Sequence, residues 1–194
     1  MKYAGLMFFD SANGPGWRVS LFVSGCGFHC NGCFNEVAQD FNYGQIFTTE
    51  TRQQIEAALA DERISGLSLL GGDPLCQNIE DLSELIELAY IAHQYHKTVW
   101  LWSGYTWEYL FEKEDTPVIL HRMRKALVRQ VDVFVDGQYI EEYRDTSLAF
   151  RGSSNQRIID VQKSLAVGEV VLWGEIPDQI SIEEYMKETH NENN

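Results

Sequence analysis

Four short apolar runs, each closed by a glycine-bearing turn, constrain this chain more than any other feature. Val19-Ser20-Leu21-Phe22-Val23 ends in Ser24-Gly25, and Leu67-Ser68-Leu69-Leu70 ends in Gly71-Gly72-Asp73-Pro74. Thr98-Val99-Trp100-Leu101-Trp102 closes with Ser103-Gly104, and Val131-Asp132-Val133-Phe134-Val135 with Asp136-Gly137. Runs rich in β-branched and aromatic residues between turn residues read as strands. Helical patterns stand between them. Thr48 and Thr49 are candidate caps for a helix to about Leu59, with Ile55, Ala58 and Leu59 on one face. Asn78 is placed to cap a second, in which Leu82, Leu85, Ile86, Ala89 and Tyr90 form an apolar stripe of helical period. A third passes through Leu120, Met123 and Leu127. Arg157–Val161 and Val170–Trp173 are expected as further short strands. Strand and helix in alternation specify a parallel sheet with right-handed crossovers. The strands are too few for a closed eight-stranded barrel. The expectation is therefore an α/β fold whose mainly parallel sheet forms a partial, open barrel. Functional loops gather at the C-terminal ends of such strands, so the four turns should surround one mouth.

The first of those ends carries three of the chain's four cysteines, Cys26, Cys30 and Cys33, spaced Cys-x3-Cys-x2-Cys. A structural zinc site takes four ligands, and a fully protein-bound four-iron cluster takes four cysteines. Three local thiolates suggest a cluster with one iron left open, and open coordination marks a reactive centre. The alternative is a zinc site completed by His29 or by Cys76. His29 adjoins Cys30, which makes simultaneous tetrahedral coordination awkward. Cys76 follows the glycine pair at the same mouth, but as a small residue it reads as inert.

With 194 residues, 44% of them hydrophobic, the chain is long enough for one domain with a real core. A formal charge of -14 opposes binding to nucleic acid or to anionic membrane. No run approaches the ~18 apolar residues of a membrane-spanning helix. Residues 1–10 lack the apolar stretch of a secretory signal, so the expectation is a cytoplasmic protein. The segment from Ile182 to Asn194 is polar and acidic and is expected to fray. No His/Asp/Ser order suggests nucleophilic catalysis, and no Gly-x-Gly-x-x-Gly follows a strand.

The cysteine triplet followed one strand–helix unit later by Gly71-Gly72-Asp73-Pro74 is similar to the radical S-adenosylmethionine superfamily. Further blocks narrow the resemblance: Asn13-Gly14-Pro15-Gly16, Phe22-Val23-Ser24-Gly25-Cys26, Cys33-Phe34-Asn35, Trp102-Ser103-Gly104-Tyr105-Thr106, Val135-Asp136-Gly137 and Arg151-Gly152-Ser153-Ser154-Asn155-Gln156. In this order, from about residue 10 to about residue 160, they resemble the anaerobic ribonucleoside-triphosphate reductase activating proteins, a family of glycyl-radical activases.

The resemblance implies a radical S-adenosylmethionine domain over residues 1–161. Residues 162–194 would be a C-terminal extension with disordered last residues. Cys26, Cys30 and Cys33 would hold a [4Fe-4S] cluster whose fourth iron takes S-adenosyl-L-methionine. Gly71, Gly72 and Asp73 would meet the methionine amino group. Many superfamily members have Glu where Asp73 stands, while this activase group commonly has Asp. Gly32, Cys33 and Phe34 would lie near the adenine, and Ser103 and Asp136 would contact ribose or methionine. The Arg151–Gln156 loop would touch cofactor or partner. One electron would cleave the cofactor to methionine and a 5'-deoxyadenosyl radical, which would take hydrogen from a glycine of the reductase's large subunit. Reduced flavodoxin is the kind of donor implied, and the resemblance leaves room for a dimer. Other short radical enzymes fit the triplet as well, such as a different glycyl-radical activase or a carboxy-deazaguanine synthase. Outside enzymes, a noncatalytic zinc-binding module remains.

Overall fold

The computed structural model describes residues 1–174. Its elements run β1 (Lys2–Asp10), β2 (Trp17–Val23), β3 (Gln45–Ile46), α1 (Thr49–Leu59), β4 (Ile64–Gly71), α2 (Ile79–Gln94) and β5 (Thr98–Trp102). They continue with α3 (Trp107–Phe111), α4 (Val118–Arg129), β6 (Val133–Asp136), β7 (Arg157–Asp160) and α5 (Val161–Val167). One seven-stranded sheet takes the order β3-β1-β2-β4-β5-β6-β7. Its four central strands, β2, β4, β5 and β6, are parallel. Both flanks are antiparallel: β1 on β2, β3 on β1, and β7 on β6. The edge strands β3 and β7 do not meet, so the sheet is open as expected.

The cysteine segment follows the second strand, since β1 precedes the one read from sequence. Only Tyr3 and Asp10 of β1 are buried, so it shows no period-two alternation. Pairing to β2 and β3, rather than its own pattern, makes it a strand. The helix α3, five residues long and capped by Thr106 Oγ1 accepting from Tyr109 N–H at 3.3 Å, was likewise too short to show a period.

The expected caps are present. Thr48 Oγ1 accepts from Thr51 N–H at 3.3 Å, and Asn78 Oδ1 accepts from Asp81 N–H at 2.9 Å. Each such cap is worth ~1 kcal/mol. The buried face of α2 is Leu82, Leu85, Leu88, Ala89 and Ala92, whereas Tyr90 is 53% exposed. The stripe is rotated from the expected one because α2 packs on α4 and α1 as well as on the sheet. Burying each of those leucines stabilises by about 1.5–3 kcal/mol.

Near the end of the described chain, Val161 opens α5 instead of closing a strand. Asp160 caps that helix, accepting from Lys163 N–H at 3.0 Å. Val170–Trp173 runs beside β7 but forms only a single bridge, Ile159 to Leu172. Val161, Leu165 and Val170 join the main core. The tail from Ile182 lies outside the described residues.

The strands bury both faces. Val19, Leu21, Leu67, Leu69, Val99, Leu101 and Phe134 point to the helices. Alternate positions of the same strands point the other way, where Trp100, Val133, Val135 and Ile158 gather with Trp102, Phe150 and Trp173. Arg18 lies on this second face and is fully buried. Its Nε donates to Ser68 Oγ at 2.6 Å, and Nη2 donates to the carbonyls of Leu67 and Thr98 at 2.8 and 3.0 Å. Desolvation brings its pKa down to about 10, so the guanidinium remains charged at neutral pH.

Candidate cofactor site

A cavity of about 510 Å³ opens at the C-terminal ends of the parallel strands. Cys26, Cys30 and Cys33 border it, together with Gly71, Gly72, Asp73 and Ser103. Phe28, Phe34, Trp102 and Phe150 supply apolar walls, and Arg151 and Gln156 enter from the loop before β7. The turns that end the strands therefore do meet at one mouth. Two residues expected there do not border it: Gly32 and Asp136.

The cysteine segment is pinned by backbone at both ends. Gly72 N–H donates to Val23 C=O at 2.7 Å, and Asp73 N–H donates to Gly25 C=O at 2.8 Å. After the cysteines, a 3-10 turn (Glu36–Gln39) returns to the strand end. There Gly25 N–H donates to Ala38 C=O at 2.8 Å and Cys26 N–H to Gln39 C=O at 3.0 Å. This packing explains the glycine pair. Gly71 has φ +113°, and a Cβ on it would lie 2.6 Å from the backbone of Val23. A Cβ on Gly72 would lie 2.6 Å from the carbonyl oxygens of Ala38 and Gly25. Only glycine allows that approach.

Asp73 is buried at the end of β4. Its Oδ1 accepts from Leu75 N–H at 2.7 Å, its Oδ2 from Gly104 N–H at 2.8 Å, and Ser103 Oγ lies 2.9 Å from both oxygens. Desolvation still raises its pKa to about 6, the donors opposing. Ser103 and Asp73 thus address each other within the wall.

Asp136, at 1% exposure, turns the other way. It accepts from Trp107 N–H at 2.9 Å and pairs with Arg157 through Nε at 2.9 Å and through Nη2. Arg157 also donates to both oxygens of Glu108 at 2.8 Å. Gly32 sits at φ +71° in the bend before Cys33, where a Cβ would strike the Glu141 carboxylate at 2.0 Å. Phe34 is 63% exposed at the rim and meets Tyr139 edge to face at 5.3 Å.

All four cysteines are free and partly buried. Burial, with Cys26 and Cys33 nearby, raises the Cys30 thiol. Cys76 stands beside Cys26: their sulfurs and an Asp73 carboxylate oxygen lie within 4.8 Å of one another. The neighbouring Cys76 lowers the Cys26 thiol to about 7, and the same closeness together with burial raises Cys76.

The donor set fits an iron–sulfur cluster. Three soft thiols on one short loop border a cavity that continues past them to Gly71, Gly72 and Asp73. The zinc alternative fits less well. Asp73 already takes three kinds of donor, and Cys30 and Cys33 stand outside the group that Cys26, Asp73 and Cys76 form. Local sequence did not point to Tyr139 or Phe150, which come from far downstream. Phe28 was visible only as a member of the triplet loop.

Comparison with known proteins agrees with this geometry. Residues 12–159 match the family model described as a 4Fe-4S single cluster domain. The chain is therefore a protein of the single-cluster iron–sulfur class. Over 153 residues it is 41% identical to the anaerobic ribonucleoside-triphosphate reductase-activating protein of Vibrio cholerae, covering 77% of this chain and 91% of that one. The protein of the same name from Escherichia coli K12 is 41% identical over 150 residues, with coverage of 76% and 90%. That of Enterobacteria phage T4 is 38% identical over 160 residues, with coverage of 81% and 93%. This chain belongs to the anaerobic ribonucleoside-triphosphate reductase-activating protein family, as the ordered motifs implied. Among the described residues, no helix is long and apolar enough to cross a membrane.

Proposed function

We propose that this chain activates an anaerobic ribonucleoside-triphosphate reductase, using S-adenosyl-L-methionine and a [4Fe-4S] cluster held by Cys26, Cys30 and Cys33. When bound and reduced by one electron, the cluster supplies reductive cleavage of the cofactor to methionine and a 5'-deoxyadenosyl radical, which takes a hydrogen atom from a reductase glycine to give 5'-deoxyadenosine and a glycyl radical. The observation that carries this reading is the meeting of three thiols and the Gly71-Gly72-Asp73 strand end in one cavity.

The chain's own residues then have distinct tasks. Gly71 and Gly72 keep the strand end tight against the cysteine loop, so the two ligand-facing segments hold one geometry. Ser103 acts through Asp73, holding its carboxylate in place. Phe28, Phe34, Trp102 and Phe150 form apolar walls that keep water from a reactive intermediate. A cavity of about 510 Å³ lies in the range that small-molecule sites occupy. Asp136 is assigned to anchoring the end of β6 through Arg157, and Gly32 to the bend that presents Cys33. Residues 1–161 form the catalytic domain in this reading, and 162–194 its extension. The protein works in the cytoplasm, beside the large reductase subunit and a donor such as reduced flavodoxin.

Anaerobic reconstitution with iron and sulfide tests the proposal. The expected product is a brown protein that releases 5'-deoxyadenosine on reduction with S-adenosylmethionine present. With the reductase added, electron paramagnetic resonance should show a glycyl doublet. A colourless protein with tightly held zinc rejects the enzyme. Cofactor cleavage without the doublet directs the radical to a different partner.

A further inference from the structure

Cys76 has no part in the reading above, yet its sulfur lies within 4.8 Å of Cys26 Sγ and of an Asp73 carboxylate oxygen. Cys26, Cys30 and Cys33 border the cavity and Cys76 does not. It therefore reaches Cys26 from behind the cysteine loop. The turn that carries it, Pro74–Cys76, is held firmly to the strand end that carries Cys26. Buried Gln77 donates through Nε2 to the carbonyls of Ser24, Gly25 and Asp73 at 3.1, 3.3 and 3.0 Å. Cys76 N–H donates to Asp73 C=O at 3.1 Å, which closes the turn. The position of one sulfur relative to the other is thus set by backbone and by Gln77.

A thiol carries one proton to donate. Two acceptors lie within 4.8 Å of the Cys76 sulfur, an Asp73 carboxylate oxygen and the Cys26 sulfur. The carboxylate already receives Leu75 N–H, Ser103 Oγ–H and Gly104 N–H. The Cys26 sulfur receives the Phe28 amide at 3.5 Å.

We infer that Cys76 is a positioning residue for the cluster, donating an S–H···S hydrogen bond to the ligating sulfur of Cys26 and so raising the cluster's reduction potential. The inference rests on the reading of Cys26 as a cluster ligand. A donor to a ligand sulfur draws negative charge from it, and the reduced cluster, which carries one more electron, gains the most. Hydrogen bonds to the sulfurs are among the levers that set such potentials.

The test uses the full chain, reconstituted anaerobically, as wild type, Cys76→Ala and Cys76→Ser. Iron content and cluster midpoint potential are measured by redox titration followed by electron paramagnetic resonance, without S-adenosylmethionine. Both variants should keep the wild-type iron content. Alanine should shift the midpoint to more negative values, and serine, which retains a donor, should stay at or near wild type. An alanine variant with unchanged or raised midpoint overturns the inference. So does a serine variant that shifts as far as alanine, since that is a packing effect. Loss of one iron in four from the alanine variant also overturns it, because Cys76 would then be a ligand. Cys26→Ala tests the underlying reading separately: a full four-iron complement in that variant removes Cys26 as a ligand whatever the Cys76 variants do.

Discussion

Ser103 Oγ lies 2.9 Å from both carboxylate oxygens of Asp73, joining the end of β5 to the end of β4 within the cavity wall. Both residues are buried. Removing the hydroxyl leaves a desolvated carboxylate short of one donor, and such a loss costs about 1–3 kcal/mol. Ser103→Ala should lower the unfolding free energy obtained from urea titration by that amount, with the midpoint falling and the slope unchanged. It should also weaken S-adenosylmethionine binding, measured by calorimetry on the reconstituted protein, because one of the two ties between the strand ends is lost and only the Gly104 amide remains. An alanine variant as stable as wild type would show that Leu75 and Gly104 suffice.

The glycine pair gives a sterner test. A methyl on Gly72 would need space now held by two carbonyl oxygens at 2.6 Å. Backbone cannot move aside as a side chain can, and overpacking of this kind costs about 1–3 kcal/mol. Gly72→Ala should destabilise the chain and lower its iron uptake on reconstitution, since the displaced backbone belongs to the cysteine loop. Normal iron content together with normal stability would contradict this packing argument.

For the cysteines themselves, Cys30→Ala should abolish the four-iron cluster and with it cofactor cleavage. Iron analysis and the visible spectrum of the reconstituted variant decide this. Full activity in that variant would falsify the ligand assignment.

Arg157 joins Asp136 and Glu108 across β6, β7 and α3. Truncating one partner of a buried ion pair strands the other, typically at a cost of about 3–5 kcal/mol. Arg157→Met should therefore destabilise strongly by denaturant titration, with Asp136 left buried without its cation. The double variant Arg157→Met with Asp136→Asn should recover part of the loss. A double variant no better than the single one would show that packing, not charge, dominates there.

Asp10 gives a pH prediction outside the cysteine loop. Desolvation raises its pKa, but hydrogen bonds from Ser20, Ala12 and Asn13 and the charge of Arg18 outweigh that, so the value in the folded protein lies below the ordinary 3.8. Its donors are Ser20 Oγ at 2.5 Å, Asn13 Nδ2 at 2.6 Å and Ala12 N–H at 2.8 Å. A depressed carboxylate contributes its full stability above pH 3.8, and that contribution is lost as pH falls through the lower folded-state value. Asp10→Asn should cost about 1.5–3 kcal/mol at neutral pH, as for a hydrogen bond to a charged group. The gap between variant and wild type should narrow as unfolding is measured at progressively lower pH below 3.8. A gap independent of pH would mean that charge has no role in holding the loop at residues 11–16.

What the sequence by itself determined is local. The cysteine spacing, the glycine pair, the caps at Thr48 and Asn78 and the strand–helix alternation are all set by neighbours within a few residues, so they could be read without coordinates. Their order along the chain was enough to name the family. Tertiary structure decided what depends on distant partners. It made β1 a strand by pairing it to β2 and β3, despite its lack of apolar alternation. It rotated the buried face of α2 toward Leu88 by packing that helix against two others. It turned Asp136 from the cavity because Arg157 and the Trp107 amide, both remote in sequence, claim its carboxylate. It set Cys76 beside Cys26, a contact across 50 residues made when two parallel strands bring their ends together. Burial and charge pairing are properties of a surface closed in three dimensions, and a one-dimensional pattern carries them only where that surface is built from adjacent residues.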